Sequence, residues 1–344
     1  MQEPKGDAVQ LSDVISVGGL VVVYSDGTRA VDGIDFKVGE GEFFGFLGPN
    51  GAGKSTTIKV LTTLLRKTSG SATILGHDVA SEAKQIRPLI GVQSQETVVD
   101  GDLTGRENMI LQGNLHGMRG RDLESRVDEL LKLVELSDSA GRRAAYYSGG
   151  MKKRLDLASS LVHKPKLLFL DEPTTGLDPQ SRAGIWAYLR KLNKEEGITI
   201  FLTTQYLEEA DRLCDRLAII DHGQIVTSGT PSDLKAEIGA DAITLSVEGN
   251  GTNAERAQEV LKGVSSIGEI VDGDGGITVY AKNASVLVPD IVRAFDASGL
   301  RLTSINLSRP SLDDVFLKHT GHRIRAEELV KPPSRMIGRF GRRH

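Results

Sequence analysis

Phe43-Phe44-Gly45-Phe46-Leu47-Gly48-Pro49-Asn50-Gly51-Ala52-Gly53-Lys54-Ser55-Thr56 joins an apolar run to a glycine-rich turn. Its first five residues follow Glu42 as an unbroken apolar run, which reads as a strand buried on both faces. The rest matches G-x-x-x-x-G-K-[ST] and opens what reads as a helix. Glycines let backbone N–H groups wrap phosphate oxygens without Cβ clashes, and a helix N-terminus adds partial positive charge. Lys54 is then placed to reach the β- and γ-phosphates, and Ser55 to ligate Mg2+.

Working outward, short apolar runs recur at Leu167–Leu170, Ile198–Leu202 and Leu217–Ile220. Val31 to Val38 reads as an early strand or hairpin, and Arg121 to Leu136 as a helix with Leu123, Val127, Leu130, Leu131 and Val134 on one stripe. Strands alternating with helices argue for an α/β core around a largely parallel sheet. After Pro231 the pattern changes to a strand at 242–247, a helix at 253–262, strands at 269–271 and 277–281, a helix at 284–298 and a strand at 300–307. Asp272-Gly273-Asp274-Gly275-Gly276 marks the hairpin between the two middle strands. This βαββαβ order is a split βαβ, α+β arrangement, and a last helix covers Leu312–His319. The expected domains are therefore 1–236, 237–321 and a basic tail over 322–344 with seven Lys/Arg and two Asp/Glu.

A second chemical signal is Leu167-Leu168-Phe169-Leu170-Asp171-Glu172, a buried strand delivering two carboxylates to its end. Asp171 suits the shell of a Mg2+ ion and Glu172 suits orienting or deprotonating an attacking water. A third is Tyr147-Ser148-Gly149-Gly150-Met151, in which Ser148 and the glycines open a helix as a second anion cradle. Phosphate loop, Ser-Gly-Gly segment, acidic strand and Thr175-Gly176-Leu177-Asp178 together, in this order, resemble the ABC-type ATPases over about residues 9–235.

That resemblance implies a P-loop NTPase, ABC-type nucleotide-binding domain with a helical subdomain at about 98–160. It implies ATP contacts from Gly48 through Thr56, an adenine-stacking ring at Tyr24, and contacts from Ser148, Gly149, Gly150 and Asp178. The Mg2+-sensing glutamine matches Gln95, with Gln93 as its near neighbour, so the implied metal set is Ser55, Gln95 and Asp171. Two departures stand out. The usual leading Leu and trailing Gln of the signature are Tyr147 and Met151, and the usual switch histidine is Gln205. Glutamine still hydrogen-bonds a γ-phosphate or a water, but it does not titrate near neutrality. The implied catalytic set is Glu172, Gln205 and Lys54. Thr203 to Asp211 and Arg309-Pro310-Ser311-Leu312-Asp313-Asp314-Val315-Phe316-Leu317 are similar to the daunorubicin-resistance branch of ABC ATP-binding subunits.

Composition narrows the function further. The 344 residues carry a net charge of −4, and no basic stripe with interleaved aromatics points to a nucleic-acid partner. The single cysteine, Cys214, excludes an intrachain disulfide, the opening residues lack a signal-peptide core, and no run is long enough to span a bilayer. The expectation is an ATPase that dimerises on ATP and drives a separate transmembrane permease from the cytoplasmic face of the membrane, exporting hydrophobic drugs. Export of a polysaccharide or lipid, or a regulatory role outside transport, are the alternatives. The excess of glycine, 39 residues, divides between the two phosphate-facing clusters and turns.

Overall fold

The computed structural model describes residues 13–321 apart from 239–240, 249–250, 274–275, 282–283 and 309. The basic tail and the tip of the Asp274–Gly275 hairpin lie outside the described residues. In chain order the first half contains β1 (Asp13–Val23), β2 (Arg29–Gly39), β3 (Phe43–Leu47), α1 (Lys54–Leu61), β4 (Ser69–Ile74), β5 (His77–Asp78), α2 (Ala83–Ile86) and β6 (Ile90–Gln93). There follow α3 (Gly105–Leu115), α4 (Gly120–Leu133), α5 (Gly149–Ser160), β7 (Leu167–Asp171), α6 (Pro179–Glu196), β8 (Thr199–Thr204), α7 (Leu207–Leu213), β9 (Arg216–Asp221), β10 (Gln224–Gly229) and α8 (Pro231–Ile238).

The central sheet has the order β10-β9-β3-β8-β7-β6, parallel except for its β10 edge. Its unalternating strands are explained by burial on both sides. Phe44, Phe46, Phe169 and Phe201 face α1 and the antiparallel sheet β2-β1-β4-β5, where Phe36 joins them at ring separations of 5.5–5.8 Å. Phe43, Leu47, Leu168, Leu170 and Leu202 face α5, α6 and α7 on the other side. Gly45 interrupts β3 because a Cβ there would lie 2.6 Å from Cys214 Sγ. Cys214 is thus a packing residue, and burial holds its thiol protonated well above the usual range.

The helices α3, α4 and α5 form a subdomain beside the sheet. The stripe Leu123, Val127, Leu130 and Leu131 is buried as its spacing predicts. The helix nevertheless stops at Leu133 rather than at Leu136, because Glu135 takes a left-handed φ of 56° while Leu136 stays in the core. An apolar stripe records burial, and here burial outlasts the helix.

The remainder comprises β11 (Asp241–Val247), α9 (Gly251–Lys262), β12 (Ile270–Gly273), β13 (Gly276–Ala281), α10 (Ala284–Ser298), β14 (Leu302–Ser308) and α11 (Leu312–Thr320). Its sheet, ordered β12-β13-β11-β14 with antiparallel neighbours, buries Ile243, Leu245, Ile277 and Val279 against Leu261, Ile291 and Phe295. The last strand starts at Leu302, not at 300, because Leu300 closes α10 by donating its N–H to Phe295 O after the left-handed Gly299. α11 starts at a capping box of Ser311 and Asp314, and then returns to the first sheet's territory. Leu312, Val315 and Phe316 are buried with Leu234 and Ile238 of α8 and Tyr280 of β13.

Candidate functional site

Three adjacent parallel strands, β3, β8 and β7, end at one edge of the sheet, as a parallel sheet requires for a shared site. β3 leads into the loop Gly48–Gly53, β7 ends on Asp171 with Glu172 next, and β8 leads into Gln205. Backbone bonds stitch the three ends together: Gly48 N–H donates to Thr204 O (3.4 Å) and Glu172 N–H to Thr203 O (3.1 Å).

The loop's glycines divide by role. A Cβ at Gly48 would lie 2.2 Å from Ile220 O, and one at Gly53, where φ is 108°, would lie 2.4 Å from Ala30 O. These two fit the loop against its own neighbours, while Gly51 (φ 83°) faces open space. Gly53 offers α1 no side-chain cap, so the helix presents its first N–H groups to the loop.

Lys54 is 4% exposed; its Nζ donates to Gly48 O (2.8 Å) and Pro49 O (3.0 Å) and lies 3.1 Å from Glu172 Oε1. Glu172 adopts φ 50°, a left-handed conformation uncommon outside glycine, and its Oε2 accepts from Thr175 Oγ1 at 3.3 Å. Ser55 Oγ donates to Asp171 Oδ1 (3.2 Å), and Tyr24 Oη meets Thr56 Oγ1 at 3.0 Å at the mouth of the loop. The structure therefore brings Tyr24, the loop from Gly48 to Thr56, Asp171 and Glu172 together.

The Ser148 segment stands apart on the helical subdomain. Ser148 caps α5 by accepting from Met151 N–H (3.2 Å), Ser148 and Gly149 are exposed, and a Cβ at Gly149 would meet nothing within 4 Å. Tyr147 turns inward, donating its hydroxyl to Ser139 O (2.7 Å) and filling the space left by Gly105. A tyrosine in this position is accounted for by packing. Gly150 lies against Ser181 of α6, the helix that Asp178 caps with both carboxylate oxygens, through Ser181 N–H (2.9 Å) and Oγ (2.6 Å). Those bonds hold the Asp178 carboxyl below its ordinary pKa.

Gln95 is exposed on the loop after β6, its carbonyl taking the Lys153 ammonium at 2.7 Å, whereas Gln93 is buried against α5. Gln205 is half-buried in the turn between β8 and α7. Two buried polar residues beside the site escape motif reading. Thr203 Oγ1 lies 2.6 Å from Asp171 Oδ1, and Glu209, fully buried, accepts from Thr174 Oγ1 (2.9 Å) and Trp186 Nε1 (2.8 Å). Burial raises the Glu209 pKa, and it ties the segment after Glu172 to the start of α7. For Thr203 the available signal is a hydroxyl closing the apolar run Ile200-Phe201-Leu202, which must find a partner when buried; Glu209, among charged neighbours, carries no such signal.

The donor set fits Mg2+. A serine hydroxyl and a carboxylate beside a phosphate loop are hard oxygen donors, and this ion is usually held by one or two carboxylates plus substrate phosphates. Among the described residues no cluster of three or more His, Cys, Asp or Glu is placed to hold a metal ion.

This fold and this site define a P-loop ATPase cassette. The family model for ABC transporters matches residues 31–175, and that for the C-terminal domain of DrrA1-3-like ATP-binding proteins matches 229–320. Daunorubicin resistance ATP-binding protein DrrA2 of Streptomyces coeruleorubidus is 44% identical, covering 86% of this chain and 91% of its own. Doxorubicin resistance ATP-binding protein DrrA of Mycobacterium tuberculosis is 41% identical over 89% of this chain and 93% of its own. Among solved structures, cbiO1 of Clostridium perfringens, part of an ABC transporter complex, aligns with TM-score 0.61 at 30% identity over 65% of this chain and 91% of its own. A dimeric ATP-binding cassette in a post-hydrolysis state with ADP and Pi aligns with TM-score 0.58 at 27% identity, over 63% of this chain and 98% of its own. The chain belongs to the ABC transporter ATP-binding protein family and is an ATPase.

Proposed function

We propose that this chain is the ATP-hydrolysing subunit of a drug exporter, working as a homodimer beneath a separate transmembrane permease at the cytoplasmic face of the membrane. The observation that carries the reading is the division of the site. One chain holds the phosphate loop around the buried Lys54, while the Ser148 helix start is exposed, with nothing within 4 Å of where a Cβ on Gly149 would stand. ATP would lie between the Lys54 loop of one copy and Ser148, Gly149 and Gly150 of another, with Tyr24 against the base and Asp178 near the seam. Among the described residues no helix is long and apolar enough to cross a membrane, which supports a separate permease. We take 1–236 as the nucleotide-binding domain and 237–321 as an accessory domain docked through α11.

The Lys54–Glu172 pair gives the chemistry its order. Phosphate oxygens that reach Lys54 compete with Glu172 for the ammonium, so binding would release the carboxylate to take a proton from the attacking water. Thr175 holds the other oxygen of Glu172 meanwhile. Gln205 follows β8 and would hydrogen-bond the γ-phosphate or that water. Ser55, Asp171 and Gln95 would hold Mg2+, which when bound supplies charge neutralisation on the phosphates.

The names of the relatives, resistance proteins for daunorubicin and doxorubicin, support a hydrophobic drug as cargo. Nod factor export ATP-binding protein I of Sinorhizobium fredii, 40% identical over 92% of this chain, favours a second reading in which a polysaccharide or lipid is carried by the same mechanism. The test is drug tolerance in cells carrying this chain with its permease. Wild type should raise tolerance to daunorubicin, and Glu172→Gln, slowed roughly 10²-fold, should not. Active ATP turnover with unchanged tolerance would remove the drug reading.

A further inference from the structure

β8 contains a residue whose hydroxyl is not needed for packing. Thr203 is fully buried in the run Thr199-Ile200-Phe201-Leu202-Thr203-Thr204, where a valine would fill the same space. A buried hydroxyl is costly unless it is bonded, so its partners show what it is for. In the parallel register Thr203 pairs with Asp171, the last residue of β7. Thr203 Oγ1 lies 2.6 Å from Asp171 Oδ1 and 3.4 Å from Leu170 O, and it accepts the Glu172 N–H at 3.2 Å. The hydroxyl has one proton, and the nearer, charged acceptor takes it. Ser55 Oγ reaches the same Oδ1 at 3.2 Å.

We propose that Thr203 is a positioning residue that sets the metal-holding carboxylate of Asp171 and the water-activating Glu172 at a fixed separation through one hydroxyl. With Oδ1 held by Ser55 and Thr203, Oδ2 is the oxygen left for the metal's shell. The Glu172 N–H, bound by both Thr203 O and Thr203 Oγ1, anchors that residue in its left-handed conformation. The role lies in geometry at the metal and at the attacking water, and nucleotide affinity without metal does not depend on it. This inference rests on the reading of Asp171 as a metal-shell residue and Glu172 as the base.

The test compares Thr203→Val, Thr203→Ser and Asp171→Asn in the full-length chain. The readouts are ATP turnover, ADP affinity in EDTA, and Mn2+ binding to the ADP-loaded chain followed by electron paramagnetic resonance. Thr203→Val should lower kcat about tenfold and weaken Mn2+ by about the same factor, the scale of one hydrogen bond to a charged group. ADP affinity in EDTA should stay within about twofold, and Thr203→Ser should restore both losses. If valine does not fold, Thr203→Ala provides the same comparison without added bulk. Wild-type turnover and Mn2+ binding in the valine or alanine variant would overturn the proposal. So would a serine variant as impaired as valine, which would make the role one of packing. If Asp171→Asn itself leaves Mn2+ binding and turnover intact, the reading of Asp171 fails, and the Thr203 proposal falls with it for that separate reason.

Discussion

Lys54, Asp171 and Glu172 lie at 4, 8 and 5% exposure within a mesh of short hydrogen bonds, whereas Ser148 and Gly149 stand in the open at the start of α5. Both regions are proposed to receive phosphate, yet only the first is preorganised by its own fold. Strand ends β3, β7 and β8 fix its parts to one another, and the Lys54 ammonium is held by two carbonyls and Glu172. The second is a helix start whose own cap satisfies one N–H and leaves Gly149 uncovered. Affinity should therefore belong to the buried region and turnover to their meeting.

Lys54→Ala attacks the buried region and should have the largest effect. Nucleotide affinity by calorimetry should fall roughly 100-fold, the scale of a charge-assisted contact sheltered from water. Near-normal affinity would end the assignment of the loop. The same variant strands Glu172 as an unpaired buried charge, so its melting temperature should also fall. Gly149→Asp probes the exposed region. A side chain fits there without collision, so folding and the affinity of the isolated chain for ATP should change by less than about twofold, while turnover drops roughly 10²-fold. Affinity lost in step with turnover would mean that Gly149 serves its own chain's loop, and the contrast between the regions would collapse.

The two regions were not equally legible in the sequence. Phe43–Leu47 and Leu167–Asp171 announce themselves because strands buried on both faces are apolar throughout, and the motifs at their ends have fixed spacing. The βαββαβ order of the second domain showed equally in its alternating strands and hairpin. By contrast, β1 and β4 are not read from the sequence; the pairing of β1 with β2 shifts register at several points, which breaks the regular alternation of a half-buried strand. The return of α11 to α8 is a long-range contact that no local periodicity encodes. The stripe Leu312, Val315, Phe316 shows that something is buried there and not against what. Within the site, motif spacing located Asp171 and Glu172, whereas Thr203 and Glu209 became visible only through distances across strands and helices.

That a working site needs two copies of this chain is a testable requirement. Its most direct test is the mass of Glu172→Gln, which should bind ATP and hydrolyse it slowly, measured by light scattering with and without Mg·ATP. The variant should be a monomer without nucleotide and a dimer with ATP at both seams, reversed by removing ATP. A mass that does not change with ATP, in the isolated chain and equally in its complex with the permease, would contradict it.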